Sequence, residues 1–328
     1  LKPADDRFVT GRVEATEAQS MKKKSSERLL VEVLKRKPSF DILGHVCVRN
    51  GVAMATDIKI WVTATVIADN GVYDGDAWRS GRMVPSIEKV EDYPDPPVMG
   101  KHIANITSDG IGNVIMSLPV NDRFNLPGAL LVVNGRRKAL IATDGHRMHV
   151  YGDHKLEGRN FIISKDVFLL LMERDSWGIY EGKKNDFLFF VGDDGVTIIT
   201  KIIDQKFPNY REVIPDQLPP IVGDEQIIEC VAYFHRELKR MKVIKRNNAI
   251  YLERNADTGN LRLTRDSSEK GLFFCNGPKV EAFQPVVFNG DYIADIDKIP
   301  GKKKVHLKDD EMIVETERGL CVLMALNV

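Results

Sequence analysis

Residues Leu140–Gly152, LIATDGHRMHVYG, decide how the rest of the chain is read. An apolar run (Leu140, Ile141, Ala142) breaks at Thr143-Asp144-Gly145, and His146, Arg147, Met148 and His149 follow before Val150 and Tyr151. Just upstream, LLVVNGRRKALIA sets two apolar runs on either side of Asn134-Gly135, a dipeptide suited to two-residue hairpin turns because it tolerates positive φ. The unit therefore reads as strand, tight turn and returning strand. Asp144-Gly145 marks a further break, where a polar loop or bulge turns side chains outward.

The same grammar recurs on both sides. ILGHVCVRNGVAMATDIKIWVTATV (42–66) places Asn50-Gly51 where the central stretch has Asn134-Gly135, and Ala55-Thr56-Asp57 where it has Ala142-Thr143-Asp144. AIYLERNADTGNLRLTRDSS (249–268) is a third copy, with a longer turn at Asp257-Thr258-Gly259. Copies this far apart mean repeated domains, expected at 1–100 (with a polar N-terminal arm), 101–216 and 217–328. The chain runs from Thr143 as far as Phe207-Pro208 and from Thr264 to Val328, but from Thr56 only to the proline cluster Tyr93-Pro94-Asp95-Pro96-Pro97. The first unit is therefore short by roughly 30 residues, enough for a helix and neighbouring strands. Its segment 68–81 is rich in Gly and Asp and shows no strong periodicity.

Between the hairpins lie helical patterns. ERLLVEVLKRK (27–37) reads as an amphipathic helix with Leu30, Val33 and Leu34 inward and Arg28, Lys35 and Arg36 outward, stopped by Pro38. FIISKDVFLLLMER gives a strand and then a helix capped near Ser164, followed by a hairpin turning at Asp193-Asp194-Gly195. ECVAYFHRELKRMKVIKR is the clearest helix, with Val231, Phe234, Leu238 and Met241 as an apolar stripe. VVFNGDYIADIDKI is a further helix candidate before the paired strands KVHLKDDEMIVETE and GLCVLMALNV. Hairpin, helix and hairpin, with another helical segment in front, is α+β dominated by antiparallel sheet.

Composition narrows the function classes. With 328 residues, 43% hydrophobic and 29% charged, the chain is ample for a buried core, and no stretch approaches the roughly 18 apolar residues of a membrane span. The first residue is Leu1 rather than Met, so the natural start is expected upstream. Residues 1–26 are polar and read as a solvated arm. Cys47, Cys230, Cys275 and Cys321 stand apart without CxxC spacing, as free thiols in a reducing cytoplasm do. The 47 basic and 47 acidic residues cancel, so contact with nucleic acid must come from local clustering. Such a cluster exists: Arg236, Lys239, Arg240 and Arg246 share the arc opposite the apolar stripe of their helix, an arrangement suited to sequence-blind phosphate contact. The alternative is a solvated helix face.

ATDGHRM (142–148) is similar to the signature in the middle domain of bacterial DNA polymerase sliding clamps, the β subunits of the replicative polymerase III. KFPNYREVIP (206–215) resembles that family's segment closing the same domain, and PSFDILGHVCV its Pro-x-x-x-Ile-Leu-Gly stretch. VVFNGDYIADI and CVLMALNV resemble third-domain landmarks. The matches are scattered over 28–328 in the right order. The chain thus resembles a divergent member with a shortened first domain.

The resemblance implies repeated clamp domains, sheets outside and helices lining a central channel, in a homodimeric ring around duplex DNA without an active site or cofactor. It also implies a pocket that takes short hydrophobic peptides of the polymerase and the clamp loader. Carried over residue by residue, that pocket is Thr143, Gly145, His146, Arg147, Met148, Pro208, Val213, Val322, Met324, Leu326 and Val328. Three positions depart from the family: Glu212 and Asn327 stand where basic residues are common, and Ala325 replaces a proline. The family's first domain meets the partner's third domain edge to edge, so the short first unit bears on ring closure.

Two rival readings compete with the clamp. Asp144, His146, His149, Asp153 and His154 resemble a metal site by type, but odd spacing sends His146 and His149 to opposite faces of a strand. The chain carries neither G-x-S-x-G nor a G-x-x-x-x-G-K-[ST] phosphate loop. The other rival is a clamp-like adaptor that binds partner proteins without encircling DNA.

Overall fold

The Asn-Gly and Thr-Asp repeats of the sequence correspond to repeated turns in three dimensions. A computed structural model describes residues 25–34, 40–118, 126, 128–184, 186–242, 248–265 and 274–326. In the first unit β1 (His45–Arg49) and β2 (Val52–Thr56) meet through Asn50 and Gly51, both at positive φ, and β3 (Ile60–Thr65) follows. In the second, β6 (Gly128–Asn134) and β7 (Arg137–Thr143) precede β8 (Arg147–Gly152). Asn134 itself pairs with Arg137, so the turn is Gly135-Arg136, one residue later than the Asn-Gly dipeptide suggests. Gly135 at φ 59° takes the left-handed first position.

The second turn of each copy is the same device. Thr56 donates its hydroxyl to the Ile60 carbonyl while Asp57 accepts from the amides of Lys59 and Ile60. Thr143 donates to the Arg147 carbonyl while Asp144 accepts from His146 and Arg147. The position after the aspartate is left-handed in both, Gly145 at φ 88° and Ile58 at φ 76°. Glycine adopts that conformation freely and a β-branched residue does not. In the third copy, β14 (Ala249–Arg254) and β15 (Asn260–Thr264) enclose a longer turn ending at Gly259; residues 266–273 lie outside the described set.

Around these hairpins the full units share one order. The second is β5 (Met99–Thr107), α3 (Ser108–Ile115), β6, β7, β8, then β9 (Arg159–Ser164), α4 (Lys165–Leu171), β10 (Ser176–Gly182), β11 (Phe187–Val191) and β12 (Thr197–Lys201). The third is β13 (Ile221–Asp224), α5 (Glu225–Arg240), β14, β15, β16 (Phe274–Lys279), then β17 (Val286–Asn289), α6 (Gly290–Asp297), β18 (Lys303–Lys308), β19 (Glu311–Thr316) and β20 (Gly319–Met324). The first has α1 (Ser26–Glu32), β1, β2 and β3, then β4 (Gly71–Asp74) and α2 (Gly75–Arg79). The featureless stretch 68–81 thus holds a short strand and a short helix. Among the described residues the unit lacks strands after α2: residues 80–98 add an isolated bridge, Tyr73 to Pro85, and a 3₁₀ turn at Val90–Asp92.

The sheets do not follow the unit boundaries. Among the described residues, one sheet has the order β4-β1-β2-β3-β12-β11-β10-β5 and another β13-β18-β19-β20-β8-β7-β6-β9. The third, β16-β15-β14-β17, stands alone. Each eight-stranded sheet therefore joins two units, through β3–β12 and through β8–β20. The core beneath β8–β20 mixes Ile141, Met148 and Val150 with Ile313, Leu320 and Val322, apolar surface that neither unit could bury alone.

The helices cover the sheets with the expected faces. Leu30, Val33 and Leu34 are buried beside α1, and Arg28 is exposed; Lys35 and Arg36 lie outside the described residues, as do the N-terminal residues through 24. α5 starts four residues earlier than the apolar stripe suggests, with Asp224 accepting from the Gln226 amide as its cap. Val231, Phe234 and Leu238 are buried, but Met241 is not part of the stripe: it follows the last turn and is 46% exposed. No helix among the described residues is long and apolar enough to cross a membrane.

Candidate functional site: a groove at the junction of two units

Between the β7–β8 turn, the segment 208–213 and the end of β20 lies a groove of about 540 Å³. Thr143, Gly145, His146, Arg147, Met148, Pro208, Val213, Val322 and Met324 all line it, although they come from three separate stretches of sequence. Backbone pairing creates that convergence: Met148 faces Val322 and Arg147 faces Leu323 across β8–β20, and the Met324 amide donates to the His146 carbonyl at 3.0 Å. The ends of β8 and β20 are thereby held together, and the 3₁₀ turn at Tyr210–Glu212 closes the third side.

Two expected members differ. Leu326 does not line the groove; its amide donates to the Val287 carbonyl at 2.8 Å, so the tail turns onto β17. Val328 lies outside the described residues. Sequence reading missed Leu126, Asn209, Tyr210 and Glu311, and named Glu212 only as a departure from the family; these five complete the lining. Tyr210 was within reach, since it lies inside the FP-x-YR segment; Leu126 and Glu311 carry no local signal. Burial and the adjacent Asp310 push the Glu311 carboxyl above its ordinary pKa, and Glu212 accepts a 2.6 Å hydrogen bond from Asn209. The rim is therefore partly acidic around an apolar floor.

The signature residues do different jobs. Met148 is only 4% exposed and packs in the junction core, so it forms floor rather than rim. Arg147 is a strut. Its guanidinium donates to Asp144 (3.0 Å), to Asp295 on α6 (2.6 Å) and to the Met116 carbonyl beyond α3, and it stacks 4.2 Å over the Tyr292 ring. With those donors engaged inside the chain, Arg147 fixes the position of the groove. Burial works to raise the Asp295 pKa, but hydrogen bonds and charge from Arg147 and Lys298 outweigh it and hold the carboxyl below its usual range.

His149 faces the other way, 1% exposed, with Nδ1 2.6 Å from the Asn113 carbonyl on α3 and Nε2 without a partner. Burial drives its pKa down to about 4. Asp144 serves the turn and Arg147, and Asp153 pairs with Arg137. Asp144, His149 and Asp153 thus go to different partners; among the described residues no three His, Cys, Asp or Glu side chains gather where they could hold a metal ion.

The cationic arc of α5 is partly neutralised. Arg236 pairs with Asp297 at 3.2 Å, Lys239 with Asp291, and Arg240 with Glu237 at 2.7 Å; Arg246 lies outside the described residues. Two of these acids belong to α6, packed beside α5. The cations of these pairs are 51–74% exposed and their acids 20–36% exposed, so solvent screens the pairs and a phosphate can compete with the carboxylates.

Similar folds are found among solved structures at low sequence identity. The DNA polymerase III β subunit of Thermotoga maritima matches with a TM-score of 0.74 and 17% identity, over 92% of this chain and 96% of that one. The Bacillus subtilis DNA polymerase sliding clamp matches with a TM-score of 0.75 and 13% identity over the same shares. The Pseudomonas aeruginosa sliding clamp, solved bound to griselimycin, matches with 0.69 and 19%, again over 92% and 96%. The chain therefore has the fold of the sliding clamps. No protein-family model and no curated protein matches its sequence.

Proposed function

We propose that this chain is a non-enzymatic processivity factor of the sliding-clamp type. It holds duplex DNA without reading its sequence and docks the replicative polymerase and clamp loader through the groove between its second and third units. The domain limits at residues 100 and 216, the homodimeric ring, the cytoplasmic setting and the absence of a cofactor belong to the same reading. The observation that carries it is the groove: residues named from the resemblance converge on one apolar hollow in a chain with the clamp fold.

An apolar floor with a few polar rim groups suits a short peptide with hydrophobic anchors. Glu212 and Glu311 on the rim favour a peptide that carries positive charge beside those anchors. DNA would lie against the helices, where Arg236, Lys239 and Arg240 exchange carboxylates for phosphates.

Val213, 38% exposed at the groove, is the residue to change, because a charge there need not be buried. Titration calorimetry with griselimycin should show binding to the unaltered chain and at least tenfold weaker binding to Val213→Glu, a loss of about 1.4 kcal/mol. Retention on nicked circular DNA after loading, with release on linearisation, tests the ring. Equal loss from both DNA forms would rule out encirclement, and equal griselimycin binding by both proteins would rule out the groove.

A further inference from the structure

Two thiols far apart in the sequence meet in the third unit. Cys230, in the second turn of α5, and Cys275, near the start of β16, are 45 residues apart, and their sulfurs lie 4.0 Å from each other. Both side chains are half-buried, so the pair sits at the edge of the core, within reach of small solutes. Gly277, two residues on and on the same face of β16, keeps the space open: a Cβ there would stand 3.0 Å from the Cys230 sulfur. A disulfide holds its sulfurs about 2.05 Å apart, so closing the gap asks for about 2 Å of movement. The strand can supply part of it. Among the described residues β16 is the end strand of its sheet, held by β15 alone, and that register shifts between Asn260 and Arg262.

The other two thiols are shut away. Cys47 is fully buried and Cys321 is 2% exposed, and burial pushes both groups up, Cys321 to about 12. The thiolate is the nucleophile in disulfide exchange, so neither is available to a solute. Cys275 differs. A hydrogen bond donated by Cys230 steadies its thiolate, outweighs the burial that works against it, and brings the group down to about 7. The same bond, with burial, raises Cys230. One sulfur of the pair is thus ready to attack, and the other stays protonated beside it.

We propose that Cys230 and Cys275 form a thiol modification site, at which a small-molecule disulfide converts the pair into a cross-link between α5 and β16. The Cys275 thiolate attacks one sulfur of that disulfide, breaks its S–S bond and expels one thiolate, leaving a mixed disulfide on Cys275. Cys230 then gives its proton to solvent, and its sulfur displaces the second small thiolate as the Cys230–Cys275 bond forms. Two protein thiols are oxidised, and one small disulfide is reduced to two thiols that take up the two protons the protein has released. The bond ties the end strand to the helix that carries Arg236, Lys239 and Arg240. In a reducing compartment the dithiol is the resting form, and the cross-link is transient and redox-sensing.

Incubating the reduced full chain with oxidised glutathione near neutral pH tests this. The intact mass should fall by two hydrogens, and the product should run as a single chain in a non-reducing denaturing gel. A peptide map should join the Cys230 peptide to the Cys275 peptide, with Cys47 and Cys321 still free, and dithiothreitol should reverse the change. Cys230→Ser should stop at one glutathione on Cys275, whereas Cys275→Ser should slow modification of Cys230 by about tenfold or more. An unaltered chain that keeps a glutathione adduct, joins to a second copy or stays reduced would overturn the proposal. So would modification of Cys47 or Cys321 as fast as that of Cys275. The map of the unaltered protein decides the outcome even where a variant fails to fold.

Discussion

Acid should weaken this protein through one residue at the centre of the β8–β20 junction. His149 pairs with Cys321 of β20 and is buried neutral, its folded pKa about 4 against about 6.5 in an unfolded chain. As pH falls from 6.5 towards 4 the unfolded chain takes up a proton that the folded chain refuses, so stability drops through that window and levels off below it. Between pH 7 and pH 5 the linkage amounts to about 2 kcal/mol, and about 3 kcal/mol by pH 4. His149→Gln keeps a donor for the Asn113 carbonyl and removes the titration. Urea unfolding followed by tryptophan fluorescence at pH 7 and pH 5 should show the unaltered protein losing about 2 kcal/mol more than the variant. Equal losses would show that the ring protonates as easily in the fold as out of it, and the burial argument would be wrong.

Two further substitutions probe backbone geometry. Ile58→Asn relieves a β-branched residue held at φ 76°, so the urea midpoint should rise by the equivalent of about 1 kcal/mol; an unchanged or lower midpoint would refute the strain. Gly319→Ala puts a Cβ against the Val150 carbonyl where β20 enters the junction, and should cost about 2 kcal/mol by the same assay; a neutral result would mean that the two strands separate there without penalty.

The sequence made some of this visible and hid the rest for physical reasons. The hairpins were legible because their turns need residues that tolerate positive φ, as Asn50-Gly51 does. The Thr-Asp repeat was legible because one side-chain-to-backbone device is used twice. β4 and α2 were hidden: a strand of four residues and a helix of five are shorter than the windows over which period 2 or 3.6 shows itself. The role of Arg147 was hidden because Asp295 is 148 residues away, and so was the pairing of α5 cations with Asp291 and Asp297. Met148 looked like a contact residue because a methionine beside polar neighbours is ambiguous until burial is known. The groove was named mostly by resemblance; no periodicity in the chain points to Leu126 or Glu311.

The straddling sheets have a mechanical consequence. The chain is laid like bricks in running bond, with covalent seams and hydrogen-bonded seams out of step. A single scission in the connector between β12 and β13 would cut the backbone but not the seam, since β8–β20 and the Arg147–Asp295 bridge still tie the two fragments together. Conversely, a piece excised at residue 216 would carry an unpaired β20 edge and half a core. The units can be counted separately along the sequence, but they cannot be taken out of the molecule one at a time.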